Sequence, residues 1–389
     1  MSLEIKKRGN TWTYVVDIGV DSITGKRKRK SESGFKTKGM CRASASKIIA
    51  DVSNGSFFEV SDIIIENFFQ KYFETIKQNL APKTFNTYQY LANYHLIPRI
   101  GKMKLKNLKP MHIQDVYNDI LKANSSTTAR HVHNLLHKAL KLAMKWRLIT
   151  DNPSDDVEKP KRAKVELSIL NENQLNLLLN HLKEFTLYLA CLIAATTGMR
   201  QGEICGLTWE NVDLKNRIIY VKSQLQKVDG VLKLVPLKTN NSRRNIQLPN
   251  NIVEALKTIH AIQKENREYF QEAYDSRDFV YAQANGSPYD PGYISRNFNR
   301  VLREYKYKCE QDNGEVKEKT MVQKLNIPSI RFHDLRHTHA SLLLKAGISI
   351  KVVAERLGDT VDTVLHTYAH VLPDMQKEAA NKLNDIFDD

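Results

Sequence analysis

The pattern of apolar and polar positions changes character three times along the 389 residues. Near the N-terminus, "TWTYVVDIGV" (11–20) is rich in aromatic and β-branched residues alternating with others, as a strand requires, and "DSITGKRKRK" follows with a turn at Gly25. Residues 1–57 are therefore predicted to be a small β-sheet unit followed by a helix. From 58 to 155 the apolar positions recur at helical spacing. "IIIENFFQKYFETI" is the first such segment; a second begins near Pro82 and stops at Pro98 and Gly101. "KPMHIQDVYNDILK" and "STTARHVHNLLHKALKLAMKWRLI" supply two more amphipathic helices. "DNPSDDVEKPKRAKVE" (151–166) holds two prolines and a charge run without apolar periodicity, which predicts a linker, set at 156–168. Beyond it, 169–389 opens with helices, and strand-like pieces follow at 217–223, 232–239 and 243–249. Helices are expected from Asn250 to the end. The fold class is multidomain α+β: a small N-terminal sheet, an all-helical middle domain, and a mainly helical third domain holding a small three-stranded sheet.

Charge narrows the range of partners. There are 59 Lys and Arg against 43 Asp and Glu, a net +16, and a polyanion is the default partner for such a surplus. Residues 1–57 alone carry 12 basic and 5 acidic side chains, a net +7. Lys26, Arg27, Lys28, Arg29 and Lys30 on the predicted hairpin are the expected grip on phosphates. "MSLEIKKRGN" lacks the apolar run of a secretory signal. The longest apolar stretch, "FTLYLACLIAA" (185–195), is too short to span a bilayer and reads as a buried helix. No membrane association is expected, and the cytoplasm, on the nucleoid, is the expected location. Cys41, Cys191, Cys205 and Cys309 show neither metal-like nor paired spacing, so reduced, buried thiols are expected.

Four stretches of the third domain could carry chemistry. In "TTGMRQGEICGLTW" (196–209), Gly198 breaks a helix and Arg200 opens the next, with Glu203 three residues on to orient its guanidinium. In "PLKTNNSRRN" (236–245), Lys238 ends a strand, where an ammonium could deliver a proton to a leaving group. "RFHDLRHTHAS" (331–341) admits two readings. His333 and His337 have the spacing of a zinc pair, but Asp334 stands where a metalloprotease has Glu, and Arg336 would face the dication. His333 and Arg336, three apart, suit an anion better. In "LGDTVDTVLHTYAHV" (357–371), Tyr368 lies near the end of an amphipathic run. In the helical domain His131, His133 and His137 lack a carboxylate or cysteine to complete a metal site, so they read as surface or DNA-facing. In the tail, Met375, Ala379, Leu383 and Ile386 or Phe387 form one stripe that caps its own domain or docks on a neighbour.

Taken in order, these stretches resemble the tyrosine recombinase family, the phage-type integrases. The resemblance rests on Arg in "TGMRQGEICGL", Lys ahead of "RRNIQLP", "HDLRHTHASLLLKAGISIKVVAERLG", and a tyrosine ten residues after the "LG" glycine. It covers 169–389; residues 58–155 are similar to the family's core-site-binding domain, and 1–57 to its arm-site-binding domain. The resemblance implies double-stranded DNA bearing core and arm sites as substrate, and a homo-oligomer, a tetramer on DNA. An excision factor or a host DNA-bending protein would be the accessory partners. No metal, ATP or other cofactor is implied, because a phosphotyrosine bond conserves the phosphodiester energy. The implied roles are nucleophile for Tyr368, oxyanion binding for Arg200 and Arg336, general acid for Lys238, and assistance to proton transfer for His333. Glu203 would support Arg200, and Arg243 and Arg244 would meet DNA. One departure stands out. Asp359 replaces the family's usual His or Trp after the glycine, and an ionised carboxylate cannot donate to a phosphate. It either holds a neighbour in place or leaves the donor role empty or filled elsewhere, with His366 a distant substitute. The rival reading is a DNA-binding architectural protein that kept the fold and lost the chemistry.

Overall fold

Alternation along the first strands builds the N-terminal sheet. In the computed structural model, which describes residues 2–20, 25–53, 62–123, 125–161, 167–237, 240–310 and 316–369, β1 (Leu3–Arg8), β2 (Thr11–Val20) and β3 (Arg27–Phe35) form an antiparallel meander. Tyr14 and Val16 point under helix α1 (Lys38–Ser53) onto Cys41 and Ala45, and all four are fully buried. The Tyr14 hydroxyl donates across the sheet to Glu32 Oε2 at 2.6 Å. Arg29 lies opposite Asp17 on the face away from α1, and Lys26, Arg27, Lys28 and Arg29 are all exposed.

The helical segment begins with α2 (Ile65–Ile76), where Ile65, Phe68, Phe69, Tyr72 and Phe73 form one buried face. α3 (Pro82–Leu91) runs into a wide π turn (Ala92–Leu96) and then α4 (Ile97–Ile100), with Pro98 inside the last. α5 (Pro110–Lys122) and α6 (Ser126–Lys145) complete the core. Two expectations need correction here. His133 is buried, not surface or DNA-facing: its Nδ1 meets the Tyr117 hydroxyl at 3.0 Å, and its ring stacks on His137. Part of the stretch 151–166, whose composition reads as linker, also packs. Asn152 and Ser154 are buried around His137, whose Nδ1 lies 3.1 Å from the Ser154 hydroxyl, and Val157 joins the apolar core. Prolines and charges removed the periodicity, yet the segment packs because its polar groups find partners on α6.

The chain divides into two compact units, residues 1–164 and 165–389. In the second, α7 (Glu172–Leu182) leads to α8 (Tyr188–Thr197), buried along nearly its whole length, then to α9 (Gln201–Cys205). β4 (Val212–Asp213), β5 (Ile218–Val221) and β8 (Arg244–Gln247) form a three-stranded sheet in the order β4-β5-β8. The predicted middle strand is not part of it. β7 (Val231–Pro236) pairs with β6 (Ser223–Val228) in a separate hairpin, because Asp229 and Gly230 turn the chain back with positive φ. α10 (Asn250–Phe270) and α11 (Pro291–Arg303) follow. A second departure comes next: β9 (Lys306–Glu310) and β10 (Val316–Thr320) pair where continuous helix was expected. α12 (Met321–Leu325), α13 (Asp334–Lys345), α14 (Ile350–Leu357) and α15 (Val361–Tyr368) end the described chain. No described helix is long and apolar enough to cross a membrane. Lys238, His370 and the tail from 373 lie outside the described residues.

Candidate active site

The site is assembled where α8, α13 and α14 end or begin. α8 stops at Gly198, whose φ of +68° is left-handed. A Cβ there would stand 2.7 Å from Leu357 Cδ2 and 2.8 Å from His339 Cδ2, so only glycine fits. The Gly198 carbonyl accepts from Arg336 Nη1 at 2.6 Å. Two residues on, Arg200 caps α9: its backbone N–H donates to Glu203 Oε2 and its Nη1 to Glu203 Oε1, each at 3.0 Å.

Glu203 is buried and receives a second cation, Arg244 Nη2, at 2.9 Å. Burial pushes its carboxyl pKa up, but Arg244 and Arg200 outweigh burial and hold it below the usual range. Arg244 is thereby spoken for. Its Nε donates to the Arg356 carbonyl at 2.6 Å, its Nη1 to the Ser242 carbonyl at 3.0 Å, and its side chain is 5% exposed. The expectation that Arg244 meets DNA is corrected: it is an internal strut, inward because a buried carboxylate needs it. Arg243 is exposed and lines an open cleft of about 520 Å³ with Val221, Lys222, Asn245 and the inner edge of Arg244.

Asp359 occupies the centre. α14 ends at Gly358, also left-handed (φ +67°), which turns the chain so that Asp359 faces inward. Asp359 Oδ1 accepts from Arg200 Nη2 and Oδ2 from Arg336 Nη2, each at 2.5 Å. Of the alternatives left open for this aspartate, the structure shows a bridge between the two arginines. Three guanidinium groups and two carboxylates leave the cluster with one positive charge in excess. His366 is exposed on α15.

Tyr368 closes α15, buried at 3% exposure. Burial raises its phenol pKa to about 12, with Arg336 pulling down and Asp359 pushing up, so the ring sits within the field of the cluster. Its hydroxyl pairs with His337 Nδ1 at 2.7 Å. Spacing had singled out His337 only as a zinc partner for His333. No sequence signal links it to a tyrosine 31 residues away. Burial, then neighbouring His333, lowers the His337 pKa to about 4. His333 is exposed as a residue, but its ring is partly desolvated where it meets His337 edge to face at 5.0 Å, and that desolvation, then Arg336, lowers its pKa. The structure thus brings Arg200, Glu203, Arg336, Asp359 and Tyr368 into one neighbourhood, and His333 to its rim.

Two guanidinium groups converging on one carboxylate beside a buried phenol, on a mainly helical domain, have the make-up of an oxyanion-binding site with a hydroxyl nucleophile at hand. The comparisons agree with this reading. The arm DNA-binding domain matches residues 4–50, the phage integrase N-terminal SAM-like domain 64–121, and the phage integrase family 168–375, more than half the chain. The chain belongs to the phage integrase family, the site-specific tyrosine recombinases that cleave and rejoin DNA. A tyrosine recombinase XerC-like protein of Caldanaerobacter subterraneus subsp. tengcongensis is 24% identical over 406 residues, spanning 98% of each chain. The ICEBs1 integrase of Bacillus subtilis is 23% identical, spanning 99% of this chain and all of its own. Among solved structures, the Tn1549 transposon integrase in complex with transposon right end DNA matches with a TM-score of 0.66 at 21% identity, over 82% of this chain and 99% of that one. A lambda integrase tetramer bound to a Holliday junction matches with a TM-score of 0.57 at 18% identity, over 94% and 93%. The rival reading, a protein that kept the fold and lost the chemistry, finds no support in these relatives.

Proposed function

We propose that Tyr368 is the nucleophile, attacking a scissile phosphate to form a 3′-phosphotyrosine and release a 5′-hydroxyl. Arg200 and Arg336 hold the non-bridging oxygens, where negative charge grows in the transition state. Lys238 protonates the leaving 5′-oxygen. Glu203 and Asp359 act through the arginines, fixing the planes in which they present their N–H groups.

The observation that carries this reading is the bridge itself. Asp359 presents two oxygens to two Nη2 atoms at 2.5 Å each, so the guanidinium pair already has the span that grips a two-oxygen anion. The likeness to integrases solved with DNA, one as a tetramer on a Holliday junction, supports duplex DNA as partner and four protomers as the working assembly. The exposed basic residues 26–29 support arm-site binding by residues 1–57, and the helical residues 58–155 would bind the core site. An excision factor or host bending protein would act by bringing arm and core sites together.

The test is covalent trapping on a nicked core-site duplex whose cleaved strand diffuses away. Wild type should accumulate a protein–DNA adduct and Tyr368→Phe none. An adduct that survives Tyr368→Phe refutes the assignment of the nucleophile.

A further inference from the structure

A tyrosine nucleophile must lose a proton, and the group beside its oxygen is not the one the family resemblance suggested. His333 is exposed at the rim, whereas His337 stands on the phenol oxygen at 2.7 Å, from the residue next to Arg336 on α13. We propose that His337 is the catalytic base of strand cleavage, its Nδ1 taking the phenolic proton as Tyr368 attacks phosphorus. The inference rests on the reading of Tyr368 as nucleophile and deepens it.

Three features carry it. Geometry comes first: 2.7 Å is direct proton-transfer distance, and one rigid helix carries both the base and the phosphate-binding Arg336. Protonation state comes second. The groups around His337 are His333, Asp334, Arg336 and Arg331 from its own segment and Tyr368 from α15. Burial and the cations among them keep the imidazole neutral at physiological pH, so a lone pair is available. The phenol is the stronger acid of the two neutral groups, so it donates and the imidazole is the Nε2–H tautomer. Third is timing. With the phenol near 12 and the imidazole near 4, the proton cannot leave ahead of attack in any useful amount. It moves while charge passes from the phenol oxygen into the phosphorane held by Arg200 and Arg336.

The step balances. The Tyr368 O–P bond forms as the P–O5′ bond breaks; the phenolic proton goes to His337 Nδ1, and the departing 5′-oxygen takes a proton from the general acid assigned to Lys238. Rejoining reverses both transfers and returns the proton to Tyr368.

The experiment measures single-turnover adduct formation by the full chain on the nicked duplex from pH 6 to 9. Wild type, His337→Ala and His337→Asn are compared, with DNA binding measured in parallel to verify the fold. Asparagine keeps a hydrogen-bond acceptor near the Nδ1 position but is not basic. Both variants should lose about 100-fold or more, and their rates should rise with pH as bulk hydroxide replaces the base. A duplex with sulfur in the bridging 5′ position needs no proton on its leaving group, so it should rescue Lys238→Ala and leave the His337 variants slow. An asparagine variant as fast as wild type, or rescue of the His337 variants by sulfur, overturns the proposal while leaving Tyr368 as nucleophile. Absence of an adduct from wild type overturns both readings.

Discussion

Replacing Asp359 with asparagine removes one negative charge from the centre of the cluster at nearly constant volume. Arg336 is 4% exposed, and taking away one partner of a buried ion pair costs about 3–5 kcal/mol. Two factors reduce that figure here. Arg200 is 35% exposed and Asp359 22%, so water screens the outer arm, whose loss costs about 0–1 kcal/mol. The amide oxygen also still accepts one hydrogen bond, recovering about 1 kcal/mol. The expected loss is therefore about 2–5 kcal/mol, or a Tm lower by roughly 4–20 °C for a unit of this size. Thermal unfolding of the full chain with and without sulfate measures it. Sulfate should stabilise the asparagine variant more than wild type, because the variant leaves two guanidinium groups facing each other without their shared anion. A variant within about 0.5 kcal/mol of wild type, with the same response to sulfate, would refute the claim that Asp359 is the counter-ion of both arginines.

Other outcomes follow from the same geometry. Gly198→Ala combines a left-handed backbone with contacts of 2.7 and 2.8 Å, and should destabilise by about 2–5 kcal/mol in urea titration; a loss under about 1 kcal/mol contradicts the packing described. His339 is buried, its Nδ1 on the Ala195 carbonyl and its Nε2 without a protein partner, and burial lowers its pKa to about 4. A histidine depressed in the fold contributes stability that is complete above its ordinary pKa of 6.5 and lost as pH falls from there toward 4. The loss is about 3 kcal/mol at most, and a His339→Gln variant should show a shallower acid limb in pH-dependent unfolding. Affinity for DNA should fall steeply with salt, log K against log[salt] sloping at about −0.9 per phosphate neutralised. Deleting residues 1–57 should abolish arm-site retention in gel shifts while core-site binding persists. Added chelator should leave adduct formation intact, and its abolition would overturn the metal-free mechanism.

Local spacing wrote much of this protein in readable form. The alternation in β2, the helical stripe of Phe68, Phe69 and Tyr72, and the Arg200–Glu203 pair three residues apart are set by neighbours in the chain. Backbone geometry then converts period into face. Where a residue's partner is distant, the pattern is silent. Arg244 counted as one more positive charge until Glu203, 41 residues away, turned it inward, and His133 looked like a surface base until Tyr117 satisfied it. Asp359 and Arg200 meet across 159 residues, and His337 reaches Tyr368 across 31. A sum of charges cannot see such pairing, because the free energy of a buried ion depends on what stands within a few ångströms of it. Composition and spacing established that the chain carries cations and a phenol in a given order. Only the packing of α8, α13, α14 and α15 decided which cation answers which carboxylate, and which imidazole stands on the phenol.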